Sequence, residues 1–387
     1  DLGSLSTGFA GIEAIRRELE DFKDSGKFIV SYGDYYTQGA YYLCSVADSV
    51  FLNPQGSVSL VGLASQGLFF TGLAEKIGVE HYIFKVGTYK SAVEPFFLKK
   101  FSDANREQLT SFLGSVWGNL TTAIEKSRNI SSDELDRYLN EGLAMGQASN
   151  AVDYKLADGL RYRYEVENCV KEMAGQDVKG KLKTAGVDKI VSIKVKEKEN
   201  KNKIAVLYAE GEIRDEDSSS PFSADEQVIS EEMANKLRKL KDDDDVKAVV
   251  FRVNSPGGSA YISEQIWKEV VELKAKKPIV VSMGNYAASG GYYISCAANK
   301  IVAERTTLTG SIGVFGVVRN FTGTFDKVGV TTDIVKTNTF ADLGDISRPM
   351  REDEKALIQR GVEQTYDLFL TRCADGRGMT KAEIDSI

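Results

Sequence analysis

Between residues 203 and 303 the apolar positions come in short unbroken runs, each bounded by polar or glycine-rich sequence. Lys203 to Tyr208 predicts one strand, Val246 to Val253 and Ile279 to Met283 two buried ones, and Lys300 to Ala303 a fourth. The intervening segments change period. Val228 to Leu240 and Ile262 to Lys274 space their apolar residues three and four apart, as a helix with one buried face requires. Strand, helix and strand in this order imply parallel pairing through right-handed crossovers. Upstream, Arg106 to Lys126 and Asp133 to Leu160 have helical spacing, and Val79 to Ile83 alternates like a strand.

Shifted by 251 residues, the chain matches itself without a gap from its first residues to about position 92. Val30, Ser31, Gly33, Tyr35, Gly39, Tyr41, Tyr42, Gly62, Gly78, Val79, Lys85 and Thr88 are identical to the residues 251 further on. Two copies of one α/β module with mainly parallel sheets are therefore expected, at 1–175 and 204–387. Residues 176–203 form a charged linker between them, ending in the run Lys196 to Lys203. An acidic, serine-rich loop from Asp215 to Asp225 is expected to be mobile.

At two positions the copies have exchanged chemistry. Gln38 falls on Ser289, and Lys90 falls on Ala341. One copy keeps a candidate nucleophile and the other a candidate base, the pattern duplication leaves when two halves build one Ser–Lys site. A serine hydroxyl is a poor nucleophile until a base removes its proton. A lysine amine can serve once burial lowers its pKa from about 10.4 toward the working pH. Lys90 sits among small and aromatic neighbours in Gly87-Thr88-Tyr89-Lys90-Ser91-Ala92-Val93, although Glu94, four residues on, would raise its pKa if close.

Ser289 precedes Gly290-Gly291 at a strand-to-helix turn, where the Gly290 N–H is the nearest donor for a developing oxyanion. A second donor is expected from Gly257 and Gly258, whose counterparts in the first copy are Ser6 and Thr7. Ser311, within Thr309-Gly310-Ser311-Ile312-Gly313, can orient the lysine amine, and its counterpart is Leu60. Tyr286 and Tyr292 are expected to line the substrate pocket. The chain has no G-x-S-x-G elbow and no S-x-x-K with its companion motifs. The sequence leaves open whether Lys90 reaches Ser289 within one chain or from a neighbour.

Composition narrows the classes. A net charge of −7 and a pI near 5.2 offer no basic stripe for a nucleic acid. Cys44, Cys169, Cys296 and Cys373 lie far apart, without CxxC spacing or nearby histidines, so they are expected as small core residues rather than zinc ligands or disulfides. The only histidine, His81, aligns with Thr332 and lies in a predicted strand, which disfavours a Ser-His-Asp triad. No stretch approaches the ~18 apolar residues that span a bilayer, and no secretory signal is present. The chain opens in what the repeat makes the middle of a module and stops before the counterpart of Asn140 to Val166, so a fragment is expected.

Taken together, Asn254-Ser255-Pro256-Gly257-Gly258-Ser259, Met283 to Tyr293, Leu308 to Gly313 and Val86 to Pro95 closely resemble the long, duplicated bacterial signal peptide peptidases of family S49. The likeness covers essentially the whole chain, with the motifs in the family's order. It implies two tandem modules of the Clp protease and crotonase-like fold. It also implies a serine peptidase with Ser289 as nucleophile, Lys90 as general base, Ser311 orienting Lys90, and Gly290 with the Gly257-Gly258 loop as oxyanion hole. By the same resemblance no cofactor or metal is needed and the substrates are peptides, above all cleaved signal peptides. The assembly it implies is a tetrameric bowl on the periplasmic side of the bacterial inner membrane, anchored through a segment missing from this chain. Two rival readings remain at this level: a crotonase-like acyl-CoA enzyme, for which the Ser–Lys exchange has no purpose, and a non-catalytic assembly module.

Overall fold

The computed structural model describes residues 7–193, 201–215 and 227–386. All but Asp215 of the acidic loop, and most of the run from Lys196 to Lys203, lie outside these residues. Strands in chain order are β1 (Val30–Tyr36), β2 (Ser49–Val58), β3 (Glu80–Val86), β4 (Gly159–Leu160), β5 (Lys203–Glu210), β6 (Glu212–Ile213), β7 (Val228–Ile229), β8 (Val246–Ser255), β9 (Ile279–Ala288), β10 (Lys300–Val302), β11 (Leu308–Gly310) and β12 (Val314–Asn320). The α/β class with mainly parallel sheets is as the sequence predicts.

The chain divides into two compact units that interleave along the sequence. The first comprises Asp1–Ala64, Leu113–Lys201 and Glu304–Thr306, and the second Ser65–Phe112, Asn202–Ala303 and Thr307–Ile387. Compactness thus assigns residues 65–112, which belong to the first sequence copy, to the unit that holds most of the second.

In the first unit β1, β2 and β4 form a parallel sheet in that order. Tyr41, Leu43, Val50, Leu52 and Leu60 are buried against it. Two buried tyrosines find acceptors for their hydroxyls, Tyr41 donating to the Leu156 carbonyl at 2.7 Å and Tyr138 to the Val58 carbonyl at 3.0 Å. Asp133 to Leu160 is not one helical stretch. It divides into helices Ser132–Asn140 and Ser149–Asp153, a single 3-10 turn, and β4.

The main sheet of the second unit runs β10-β9-β8-β5, with β11 extending the pairing along β9. β8 buries every second residue, Val249, Phe251, Val253 and Ser255, as one face of a pleated strand must. Helix Ala260–Lys276 covers that face with Ile262, Ile266, Val270 and Leu273, and Ser259 caps it by accepting the Ile262 N–H. Here the helical reading of Val228 to Leu240 needs correction: Val228 and Ile229 form β7, paired with β6, and the helix starts at Glu232. β3 and β12 make a separate antiparallel ribbon, closed by Phe84, Met350 and Val362.

Candidate active site

β9 ends at Ala288, and the chain enters the short helix Gly290–Tyr293 through Ser289, whose backbone takes φ 53° and ψ −120°. A residue with a side chain costs on the order of 1–3 kcal/mol in such a region, so its surroundings must hold it there. The Ser289 N–H donates to the Gly310 carbonyl at 2.8 Å, and β11 pairs Leu308 to Gly310 with Tyr286 to Ala288. Missing side chains make the room. A Cβ on Gly291 would lie 2.6 Å from the Ser255 carbonyl oxygen, and one on Gly257 would lie 2.8 Å from the Ser289 Cβ. The turn is a strained strand-to-helix elbow that carries no G-x-S-x-G pattern.

Lys90 arrives from the end of β3. Gly87, at φ 100°, turns the chain and its carbonyl accepts the Lys90 N–H at 3.2 Å. The Lys90 side chain is buried, 7% exposed, and its Nζ lies 3.1 Å from Ser289 Oγ, 3.1 Å from Ser311 Oγ and 2.9 Å from the Ser311 carbonyl oxygen. Lys90, Ser289 and Ser311 therefore meet within one chain, and within one compact unit. Burial pushes the Lys90 pKa down to about 8. Glu94 does not oppose this. Burial pushes the Glu94 carboxyl up, and hydrogen bonds from Ser102 and Asn105 more than offset the effect, leaving it below its ordinary value.

Ser311, like Ser289, has a left-handed backbone, φ 51°. Gly313 completes the lysine's channel: a Cβ there would lie 3.1 Å from Lys90 Cδ. In sequence Gly313 stands out only as part of the tight loop and by its identity with Gly62, and neither feature points to the lysine.

The glycine loop after β8 supplies the remaining polar groups. Gly257, φ 104°, spends its N–H on Ser255 Oγ at 3.2 Å, so its contribution is the close approach to Ser289 rather than a free donor. Gly258, φ 146°, is pinned beside β6 by Ile213 N–H to Gly257 carbonyl at 2.8 Å and Ser259 N–H to Ile213 carbonyl at 2.7 Å. No acceptor for the Gly258 or Gly290 N–H occurs among the described residues. These two amides lie close together, a Cβ on Gly290 coming within 3.2 Å of the Gly258 nitrogen, and are the donors available to an incoming oxygen.

The other candidates separate. Tyr286 is half exposed beside the elbow, whereas Tyr292 packs on the core and burial raises its pKa, which removes it from the pocket. His81 lies on β3 opposite Arg319, its ring centroid 5.2 Å from that of Phe96. Cys44, Cys296 and Cys373 are buried and Cys169 is half-buried, all as free thiols.

The chain matches the family model described as peptidase family S49 over residues 21–177 and 271–387, and the Clp protease model over residues 220–312. It is 37% identical over 386 residues to Protease 4 of Haemophilus influenzae, covering 97% of this chain and 62% of that protein. Protease 4 of Salmonella typhi is 38% identical, with 96% of this chain and 60% of the relative covered. The chloroplastic serine protease SPPA of Arabidopsis thaliana is 32% identical, with 99% and 57% covered. The chain thus spans about 60% of the length of these relatives. With matched family segments in both sequence copies and relatives aligned over nearly its whole length, the chain belongs to peptidase family S49.

Proposed function

We propose that the chain carries the catalytic apparatus of a serine endopeptidase acting on small, mostly apolar peptides, cleaved signal peptides among them. The observation that carries this reading is a buried, carboxylate-free lysine amine 3.1 Å from the hydroxyl of a serine held in a strained elbow. Neutral Lys90 takes the Ser289 hydroxyl proton, and Oγ attacks the scissile carbonyl. The carbonyl oxygen, now negative, receives the Gly258 and Gly290 N–H groups, which break no hydrogen bond within the described residues to do so. The Lys90 ammonium passes its proton to the leaving amine as the C–N bond breaks. A water then gives a proton to Lys90 and its oxygen to the acyl carbon, releasing the acid and restoring Ser289. Ser311, which offers two oxygens to Nζ, keeps the amine directed at Oγ through both steps. An acyl-CoA enzyme of related fold has no use for this pair.

Hydrolysis of an apolar fluorogenic peptide tests the reading. Ser289→Ala and Lys90→Ala each lower kcat by about ten-thousandfold or more, and the double variant is no worse, as expected of residues that act as a unit. Ser311→Ala falls by about tenfold to a hundredfold, a loss of orientation rather than of chemistry. Activity retained in Lys90→Ala refutes the assignment.

The same reading includes a homo-oligomer, a tetramer by the family resemblance, attached to the outer face of a bacterial inner membrane. What supports association is an asymmetry in pairing. β3 from the first copy pairs with β12 from the second, while their counterparts, residues 331–337 and 63–69, join no strand among the described residues, and Val335 is 98% exposed. Pairing of those two segments between neighbouring chains repeats the internal ribbon and generates a ring. Sedimentation is expected to give an oligomer at micromolar concentration, and a monomer there contradicts the arrangement. No helix among the described residues is long and apolar enough to cross a membrane.

A further inference from the structure

The first copy has lost the nucleophile but not the cleft. A cavity of about 430 Å³ in the first unit is lined by Thr7, Gly8, Phe9, Ile12, Tyr35, Thr37, Gln38, Gly39, Ser59 and Val61. Moved forward by 251, the last six of these become Tyr286, Ala288, Ser289, Gly290, Gly310 and Ile312, and Thr7 becomes Gly258. The cavity therefore occupies, residue for residue, the place of the elbow, the oxyanion loop and the β11 wall of the other copy. Thr7, Thr37, Gln38 and Ser59 are each larger than their counterparts Gly258, Ala288, Ser289 and Gly310, yet a cavity remains between them.

Its chemistry has changed in a consistent direction. All ten lining residues are uncharged, and Phe9, Ile12 and Val61 give it apolar walls. Gln38 Oε1 accepts the Val61 N–H at 2.8 Å and the Gly62 N–H at 2.7 Å, which fixes the wall opposite the turn. Its Nε2 has no acceptor among the described residues and remains able to donate. The position that holds a hydroxyl for attack in one copy holds an amide donor for binding in the other.

We propose that this cavity is a second, non-cleaving site for an extended apolar peptide, which seats an apolar side chain against Phe9, Ile12 and Val61 and lays a backbone carbonyl on Gln38 Nε2. The inference rests on the peptidase reading for its ligand class, since the occupant follows from the kinship of the two clefts. A peptide held there stays tethered to the molecule that cuts it, raising its effective concentration at the other cleft.

The test uses the Ser289→Ala chain and an apolar hexapeptide of leucine and alanine carrying one benzophenone side chain. Calorimetric titration is expected to give two peptides per chain, and irradiation to give adducts both near residue 289 and on fragments containing Phe9–Ile12 or Val61. Val61→Trp, at a 59% exposed position whose backbone N–H is kept, fills the cavity and removes one equivalent together with the first-unit adducts. Gln38→Leu weakens that equivalent by about tenfold, the worth of one good hydrogen bond. One peptide per chain, or adducts confined to the surroundings of residue 289, overturns the inference while leaving hydrolysis by the native chain intact. Absence of hydrolysis by the native chain is the separate failure of the peptidase reading.

Discussion

The elbow at Ser289 and the turn at Gln38 descend from one sequence and now obey different physics. At 289 the backbone is left-handed, and so is it at Ser311 across the cleft; neither Gln38 nor Leu60, their counterparts, has a positive φ. Leu60 is 1% exposed and fills with hydrocarbon the place where Ser311 offers oxygen to an amine. Lys90 is buried, while its counterpart Ala341 is exposed. The strained serine turns of the second copy and the buried amine of the first meet at one cleft, in the second compact unit, and the cleft at Gln38 has neither the strain nor the amine. The fold requires neither of them, which is what the proposed chemistry at the Ser289 cleft accounts for.

That comparison predicts a stability cost confined to the second unit. Lowering the Lys90 pKa from 10.5 to about 8 means the folded state binds the lysine proton more weakly than the unfolded chain. Below pH 8 the full penalty applies, about 3 kcal/mol, and it fades as pH rises from 8 to 10.5, where the unfolded chain also loses its proton. Lys90→Met, which keeps the apolar stem, is therefore expected to be inactive yet more stable by about 2–3 kcal/mol at pH 7. Denaturant unfolding at pH 7 and pH 10.5 checks this. A variant less stable at both pH values removes the cost from the account.

The smallest expected effect sharpens the contrast from the other side. Gln38→Ser puts the hydroxyl back, but Leu60 and Ala341 supply neither helper nor base, so acylation at residue 38 by a serine-directed probe stays undetectable and kcat at saturating peptide changes by less than about twofold. Labelling at residue 38 would show that the first copy needs only its nucleophile to work.

Much of this was legible in the chain. Glycine loops, buried strands and the reciprocal exchange at 289 and 90 are local or periodic signals, and they singled out Lys90, Ser289 and Ser311, whose side chains meet at the lysine amine. What stayed hidden depends on long-range geometry. No spacing rule shows that β3 crosses to pair with β12, since the counterpart of β3 at 331–337 forms no strand at all. The left-handed turn at Ser289 is imposed by Gly257, Gly291 and β11, not by neighbours in sequence. Glu94 is close to Lys90 along the chain, yet the 3-10 turn Glu94–Phe96 directs its carboxylate to Ser102 and Asn105. Tyr292 lies one turn from the elbow but faces the core. Val228 and Ile229 look helical by spacing because two residues are too few for a strand period to register.

The central claim is that an uncharged Lys90 amine draws the proton from Ser289, and the pH dependence of Ser289 acylation measures it most directly. With a fluorophosphonate probe under single-turnover conditions, the rate is predicted to rise with pH through a single apparent pKa near 8 and to level above it. A rate independent of pH between 6 and 10, or one unchanged in Lys90→Met, would contradict the account.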